Sequence, residues 1–583
     1  MPRLSSFPRT VALAAMMCLL ILAGCASSVA TTPPPTDPGR TPCTSHSATP
    51  VTLSMYYGSE KENWINDVVP TFNRQHYVAC DGPITVNAIP IGSGDSMEQI
   101  LDGKIQPDIW SPAGSAWITI LNDKWSSTHG GTPIVGSGAE DAVRLVTSPV
   151  VIAMWRDEAQ ALGWPQKAIG WSDIVKLSTD PRGWADYGHP EWGLFKFGHT
   201  RPNLSNSGLD AIIAEAYAAV GKVRDLTQSD ITRASTRDFI ASAETSVIHY
   251  GDSTGFFANE MFNNGPTYLS ADVMYESLVT EAYNPQLYPK VGTQFPQVVA
   301  IYPKEGTFYS DHPFVIPQAS WVSPAQKAAA EVFRDYLLQP AQQQKALYYG
   351  FRSVLPSVTG APIDAAHGVD PSQPMTVLPV PAASVIETLL SSWEELRRKV
   401  SVMLILDRSG SMNDVNNNVT KISGAKQGLT EFAGLLSDGD SMGLTVFSDS
   451  ANVLTPVSPL GPKRHQVLNA INAITAQGST RLYDTIAEQE ASLTALPSTN
   501  IKALVVLTDG MDNVSTLTLD QLVSKVSPTG VNAGDGVKIF TIAYGTDADT
   551  TALTNIANAA GGQEYAGNTE NIVQVYDTIS QFF

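Results

Sequence analysis

Histidine and cysteine are scarce in this chain, nine and four among 583 residues. No Cys/His spacing of the zinc-site kind occurs, and no nucleophile lies beside a base in any motif, so the sequence offers no catalytic residues and reads as a non-enzyme. Positive charge is also short. Thirty-six Lys and Arg face 56 Asp and Glu, a formal charge of −20, which leaves no basic field to displace counterions and excludes nucleic acid as a partner. No apolar run reaches the length of a membrane span. The most apolar one, residues 11–23, is too short. No repeat of solenoid length is visible. What remains is a chain of 43% hydrophobic residues, long enough for several globular domains.

The amino terminus sets the compartment. Arg3 and Arg9 precede the apolar stretch, which fits the core of a signal peptide over residues 1–24. It ends in Leu22-Ala23-Gly24-Cys25, which resembles a bacterial lipobox. The resemblance implies cleavage before Cys25, lipid on its thiol, and a protein held on the extracytoplasmic face of the cell membrane. Cys18 lies in the signal core, so Cys43 and Cys80 are left as a candidate disulfide in an oxidising compartment. Residues 25–49, rich in Ser, Thr and Pro, read as an extended spacer.

Residues 50–355 alternate strand and helix signals. Strands are expected at 51–57, 84–91, 107–111 and 192–197. Ser59 with Glu62 and Asp95 with Glu98 have capping-box spacing, and helices are expected to open there and after Ser205-Asn206-Ser207-Gly208. Loops between a strand and a helix start collect free N–H groups and hydroxyls, a setting for an oxyanion or carboxylate. The candidate ligand contacts are Ser59, Ser93, Ser111, Ser205 and Ser207. A sugar would use Trp64, Trp110 and Trp192 instead, and a ferric ligand Tyr56, Tyr57 and His199. The order of Pro107-Asp108-Ile109-Trp110-Ser111, Ser205-Asn206-Ser207-Gly208, Tyr275-Glu276, Tyr302-Pro303-Lys304-Glu305-Gly306 and Asp311-His312-Pro313 resembles bacterial extracellular solute-binding proteins of the molybdate- and sulfate-binding-like type. The resemblance implies two lobes with crossings near residues 148–151 and 298–301. Residues 356–397 form a Pro-bearing linker ending in a short helix, 384–398, with Val385, Leu389, Leu390 and Trp393 on one side.

Residues 398–583 hold the most specific pattern. An apolar strand, 400–406, delivers Asp407-Arg408-Ser409-Gly410-Ser411. A loop carries Thr480 before a helix, and a second buried strand, 503–507, delivers Thr508-Asp509-Gly510. Hydroxyl and carboxylate oxygens suit Mg²⁺, Mn²⁺ or Ca²⁺. Asp407, Ser409, Ser411, Thr480 and Asp509 match, in order, the metal-ion-dependent adhesion site of the von Willebrand factor type A family. That resemblance implies a bound divalent ion with one position open to an acidic residue of a protein partner.

The expected architecture is therefore α/β throughout: a two-lobed module of the type II periplasmic-binding-protein kind, followed by a doubly wound Rossmann-like von Willebrand factor A domain. The expected function is extracytoplasmic binding, of a small solute in the cleft and of an acidic partner at the metal. The alternatives are a transport receptor of an ABC-type system, and an adhesin whose first module is structural.

Overall fold

The computed structural model describes residues 48–372, 375–497, 499–527, 536–580 and 582. The signal segment, Cys25, the spacer and Cys43 lie outside the described residues. Cys80 is disulfide-bonded, to a partner that also lies outside them.

The first lobe is a six-stranded mixed sheet. Val51–Tyr57 lies between Gly82–Pro90 and Ile109–Ser111, parallel to both. Pro313–Val315 and Ala142–Arg144 extend it antiparallel, and Val78–Ala79 pairs with the Gly82–Pro90 edge. Helices Glu62–Arg74 and Pro324–Leu337 cover it. Their apolar faces, Ile65, Val68 and Phe72 with Ala329, Phe333 and Leu337, close on Leu53 and Met55 from the sheet. Near the amino terminus of the first helix, Ser59 does not serve as a cap: residues 59–61 form a 3-10 turn and the helix proper begins at Glu62.

The second lobe is built on Val146–Trp155, a ten-residue strand buried along nearly all its length. Val298–Ile301 and Ala271–Tyr275 flank it antiparallel, and Phe197–Thr200 and Val247–Gly251 continue the sheet. The outward crossing falls in Arg144–Val146, slightly before the expected 148–151. The return crossing is displaced further. Val298–Ile301 is the buried edge strand of the second lobe's sheet, paired to Ile152–Trp155. Tyr309–Ser310 still pairs with Ser148 and Pro149, whereas Pro313–Val315 already belongs to the first lobe, so the chain returns through Asp311 and His312. A four-residue apolar run reads the same in a buried strand as in a crossing, and only pairing separates the two. The expected strand at 192–197 begins at Phe197, with Trp192 ending a 3-10 turn.

The helix Ala383–Leu396 buries Val385, Leu389 and Trp393 against the second lobe. Gln228 Nε2 donates to Ser384 O and Thr388 Oγ1, and Arg237 pairs with Glu395. Beneath it, Glu244 accepts from Trp393 Nε1 at 2.7 Å and Tyr250 OH at 2.5 Å, with His199 Nε2 at 3.0 Å. Arg398 then donates to Val247 O and Thr499 O, which joins the second lobe to the last domain.

That domain is a six-stranded sheet in the order Ala451–Pro459, Ser441–Phe447, Val400–Asp407, Ile501–Thr508, Lys538–Tyr544 and Glu564–Gly567. All neighbours are parallel except at the first edge. The two central strands are buried throughout except for a half-buried Lys502, and they run in register with Leu406 beside Leu507. Asp407 and Thr508 therefore emerge side by side, at the switch point where the strand order reverses.

Candidate functional site

The carboxyl edge of this last sheet gathers four of the five expected oxygen donors into one contact chain and sets the fifth beside it. Asp407, fully buried, accepts from Ser409 N at 2.7 Å through one carboxylate oxygen and from Thr508 Oγ1 at 2.6 Å through the other. Ser409 Oγ lies 3.1 Å from Ser411 Oγ, and Ser411 Oγ donates to Asp509 Oδ1 at 2.8 Å. Thr480 enters on a loop laced to both sides. Gly478 O accepts from Gly410 N at 3.0 Å. Thr480 N donates to Asn513 Oδ1 and Thr480 O accepts from Asn513 N, each at 3.0 Å. The following helix, Leu482–Thr494, has its first free amides capped by Asp512 Oδ2, which accepts from Leu482 N and Tyr483 N. Gly478 has φ +90°, and a Cβ there would come within 2.7 Å of Asp449 Oδ2, so the loop needs glycine at that point.

The oxygens have the spacing of a hard-cation site. Ligands of an octahedral Mg²⁺ at about 2.1 Å stand about 3 Å apart along each edge, and the Ser409–Ser411–Asp509 separations are 3.1 and 2.8 Å. Among the described residues no group of three or more His, Cys, Asp or Glu could hold a metal. The donor set here is two carboxylates and three hydroxyls, which fits Mg²⁺ or Mn²⁺ better than zinc. Burial pushes the Asp407 carboxyl up to about 6, with Asp509 adding to the effect. A carboxylate kept in such a place gains from a cation beside it.

Sequence reasoning missed one participant. Lys421, buried in the first turn of helix Lys421–Leu435, places Nζ 2.8 Å from Asp509 Oδ2. A lysine at the positive end of a helix was the available signal.

The cleft between the two lobes is arranged differently. Ser59 Oγ accepts from Gly255 N, at the start of helix Thr254–Asn264 on the opposite lobe, at 3.0 Å. Gly94 N and Asp95 N, at the start of helix Ser93–Leu101, both donate to Leu204 O across the cleft at 2.7 and 3.1 Å. Each lobe thus supplies the acceptor for the other's helix start. Ser93 Oγ accepts from Ala113 N. Ser205 Oγ and Ser207 Oγ meet Thr254 Oγ1 at 3.2 and 2.9 Å. Ser111 Oγ is buried without a hydrogen-bond partner, as are Tyr57 OH, Asn206 Oδ1 and His312 Nε2.

Carboxyls dominate the cleft. Glu60 is buried and ion-paired to Lys61 at 2.6 Å, with His312 Nδ1 3.2 Å away. Burial opposes its ionisation, yet Lys61 and His312 hold it down to about 2. Burial pushes Asp210 and Glu281 each up to about 8 and Asp252 to about 7. Glu281 accepts from Asn63 Nδ2 across the cleft at 2.9 Å. A cavity of about 190 Å³ at this seam is lined by Ser59, Glu60, Glu62, Asn63, Asn259 and Glu281, among others. The helix-start amides of Gly94, Asp95 and Gly255 are therefore spent on protein acceptors, and the surrounding carboxyls add no positive charge for an anion. Trp64 and Trp110 are fully buried core residues and Trp192 stacks on His189, so none offers a sugar a free face in the cleft. His199 is committed to Glu244 and Thr200 O beneath the linker helix, which removes it from a ferric site with Tyr56 and Tyr57.

Comparison with known proteins agrees with this division. Residues 53–352 match the family of bacterial extracellular solute-binding proteins, and residues 402–511 match the von Willebrand factor type A domain. A UPF0353 protein of Mycolicibacterium paratuberculosis is 26% identical over 209 residues, 31% of this chain and 61% of the relative, so the chain spans about three fifths of that protein. Among solved structures, a von Willebrand factor type A protein from Catenulispora acidiphila is 22% identical and covers 32% of this chain and 42% of its own, with a TM-score of 0.28. The periplasmic binding protein AfuA of Actinobacillus pleuropneumoniae is 14% identical and covers 59% of this chain and 98% of its own, with a TM-score of 0.41. The chain belongs to the bacterial extracellular solute-binding protein family, and carries a von Willebrand factor type A domain behind its solute-binding module.

Proposed function

We propose that this protein is an extracytoplasmic, lipid-anchored docking protein. Its last domain uses a divalent ion to take an acidic residue of a protein partner, and its first module takes a small polar solute. The observation that carries the docking half is the contact chain Asp407–Ser409–Ser411–Asp509 at the switch point of the sheet, with Thr480 tied in beside it. A bound Mg²⁺ or Mn²⁺ would supply an electrophilic centre with a position left for a carboxylate. The residues themselves hold the oxygens in place: Thr508 and the Ser409 amide orient Asp407, and Asn513 fixes the Thr480 loop. Titration calorimetry of the full chain with Mn²⁺ should show one saturable site, lost in Asp407→Asn. Binding that survives that substitution sinks the reading.

The solute half rests on the buried, unpartnered Tyr57 OH, Ser111 Oγ, Asn206 Oδ1 and His312 Nε2 between the lobes. A second reading, of the first module as a rigid platform for the docking domain, is favoured by the reciprocal filling of helix starts across the cleft. A thermal-shift screen of small polar solutes separates them, since only the first reading expects a specific response. The anchor rests on Cys25. Cys25→Ala should move the protein from the membrane to the soluble fraction, and retention on membranes would remove it from the proposal.

A further inference from the structure

The buried ammonium of Lys421 is unexpected on local grounds. Lys421 is the first residue of helix Lys421–Leu435, where the helix dipole disfavours a cation, and its side chain is out of water, where an ammonium is costly. The cap of that helix is supplied by Thr420, whose Oγ1 accepts from Ser423 N, so the lysine is not needed to start it. The segment before it, Val415–Thr420, is a two-stranded hairpin turning through Asn417 and Asn418 at φ +49° and +65°. It delivers Lys421 beneath the Ser409–Ser411 loop, with Lys421 N donating to Asp414 O. Three carboxylates face Nζ. Asp509 Oδ2 is at 2.8 Å and fully buried. Asp414 and Asp547 are each at 3.9 Å and mostly in solvent. The lysine is thus aimed at one oxygen of the residue whose other oxygen faces the site.

We propose that Lys421 is the positioning and charge-setting residue of the metal site: it withholds one Asp509 oxygen from the ion and keeps the loaded site net positive, so that a partner's carboxylate is drawn to it. This rests on the metal-site reading above. The bookkeeping is short. Counting the buried groups, since the exposed Asp414 and Asp547 are screened by solvent, Asp407 and Asp509 with Lys421 carry a formal charge of minus one, and a divalent ion brings the group to plus one. Without the ammonium the loaded site would be neutral and would have little electrostatic reason to take a carboxylate. Asp509 is also restricted sterically. With Oδ2 bonded to Nζ, only Oδ1, already beside Ser411 Oγ, can turn toward an ion, so a chelating arrangement is barred. Lys421 thereby weakens the hold on the metal and strengthens the pull on the partner, the balance a docking site needs and a storage site does not.

The test uses the full chain, Mn²⁺ alone as the first probe and acetate as the second. Lys421→Met keeps the stem and removes the charge; Lys421→Arg keeps the charge. Mn²⁺ affinity, read by electron paramagnetic resonance of the free ion, should rise about tenfold in Lys421→Met and stay within about threefold in Lys421→Arg. Acetate added to the Mn²⁺-loaded protein, read by water-proton relaxation, should bind about tenfold more weakly to Lys421→Met than to wild type. If Lys421→Met does not fold, Lys421→Gln, which can still donate to Asp509 Oδ2, serves in its place with the same expected directions. Wild type that binds Mn²⁺ while the neutral variant binds it equally or less well overturns the role of Lys421 and leaves the metal site standing. Absence of saturable Mn²⁺ binding in wild type and in all variants overturns the metal site and this inference with it.

Discussion

The cleft of the first module and the sheet edge of the last domain start from the same design and end differently. Both collect serine and carboxylate oxygens at strand ends beside helix starts. In the cleft the opposite lobe answers them: Leu204 O fills one helix start and Ser59 Oγ another. At the sheet edge no second lobe faces them among the described residues, and the oxygens of Ser409, Ser411 and Asp509 turn toward one another with a lysine behind them. Oxygens that converge on each other keep a shared point for a cation. Donors that meet acceptors across a seam become the seam. The same composition therefore yields converging oxygens that suit a cation in one place and a closed interface in the other.

The largest effect that sharpens this comparison is expected at Asp509. Asp509→Ala should abolish Mn²⁺ binding, more than 100-fold, and it should also unsettle the domain, because it strands the buried Lys421 ammonium. Removing one partner of a buried ion pair costs about 3 kcal/mol. The double substitution Asp509→Ala with Lys421→Met should recover most of that stability and none of the metal binding. Denaturant unfolding of the three proteins checks it. Equal stability of the single and double variants would mean that Asp414 and Asp547 take over the lysine without loss.

A second, smaller effect belongs to the cleft and is read against pH. Asp210 and Glu281 have raised carboxyl pKa values, about 8 in each case from burial, so the folded state holds their protons where the unfolded chain releases them. Their contribution to stability therefore falls as pH rises from about 4 to about 8. Glu60, held down to about 2, acts in the other direction. Its contribution is full above the ordinary glutamate pKa and is lost as pH falls from about 4.5 to about 2. The melting temperature of the first module should peak near pH 4 and fall on the order of 5 °C by pH 8.5, and Asp210→Asn should flatten the alkaline limb. A flat profile from pH 5 to 8.5 in wild type would show that these carboxyls are not protonated in the seam.

How far the sequence foretold each region follows from what holds it. Four of the five expected oxygen donors were legible because two apolar strands each deliver a motif at a predictable end, and Thr480 because its loop opens a helix. Lys421 was not, because only the fold brings residue 421 against residue 509. The cleft was legible as strand–loop–helix order but not as chemistry. Ser59 reads as a cap and instead reaches Gly255, almost two hundred residues away in sequence. Val298–Ile301 reads as a crossing and is a buried edge strand of the second lobe's sheet. Local pattern reports which groups are polar, and it does not report which distant backbone will meet them.

The smallest expected effect tests whether the cleft keeps any taste for anions. Ser205 Oγ contacts Thr254 Oγ1 at 3.2 Å, and Thr254 keeps Ser207 Oγ at 2.9 Å when Ser205 is lost. Ser205→Ala should therefore cost about 1 kcal/mol or less. The amides that would join Ser205 in holding an oxyanion, Gly94 N and Asp95 N, are bonded to Leu204 O, and the neighbouring acids Asp95, Asp210 and Asp252 add no attraction for one. Sulfate or molybdate at millimolar concentration should accordingly leave the melting temperature of wild type and of Ser205→Ala unchanged within about 1 °C. A saturable sulfate shift in wild type that weakens severalfold in Ser205→Ala would reverse the comparison. It would show that the lobes part, release the helix starts from Leu204 and Ser59, and hand them to an anion.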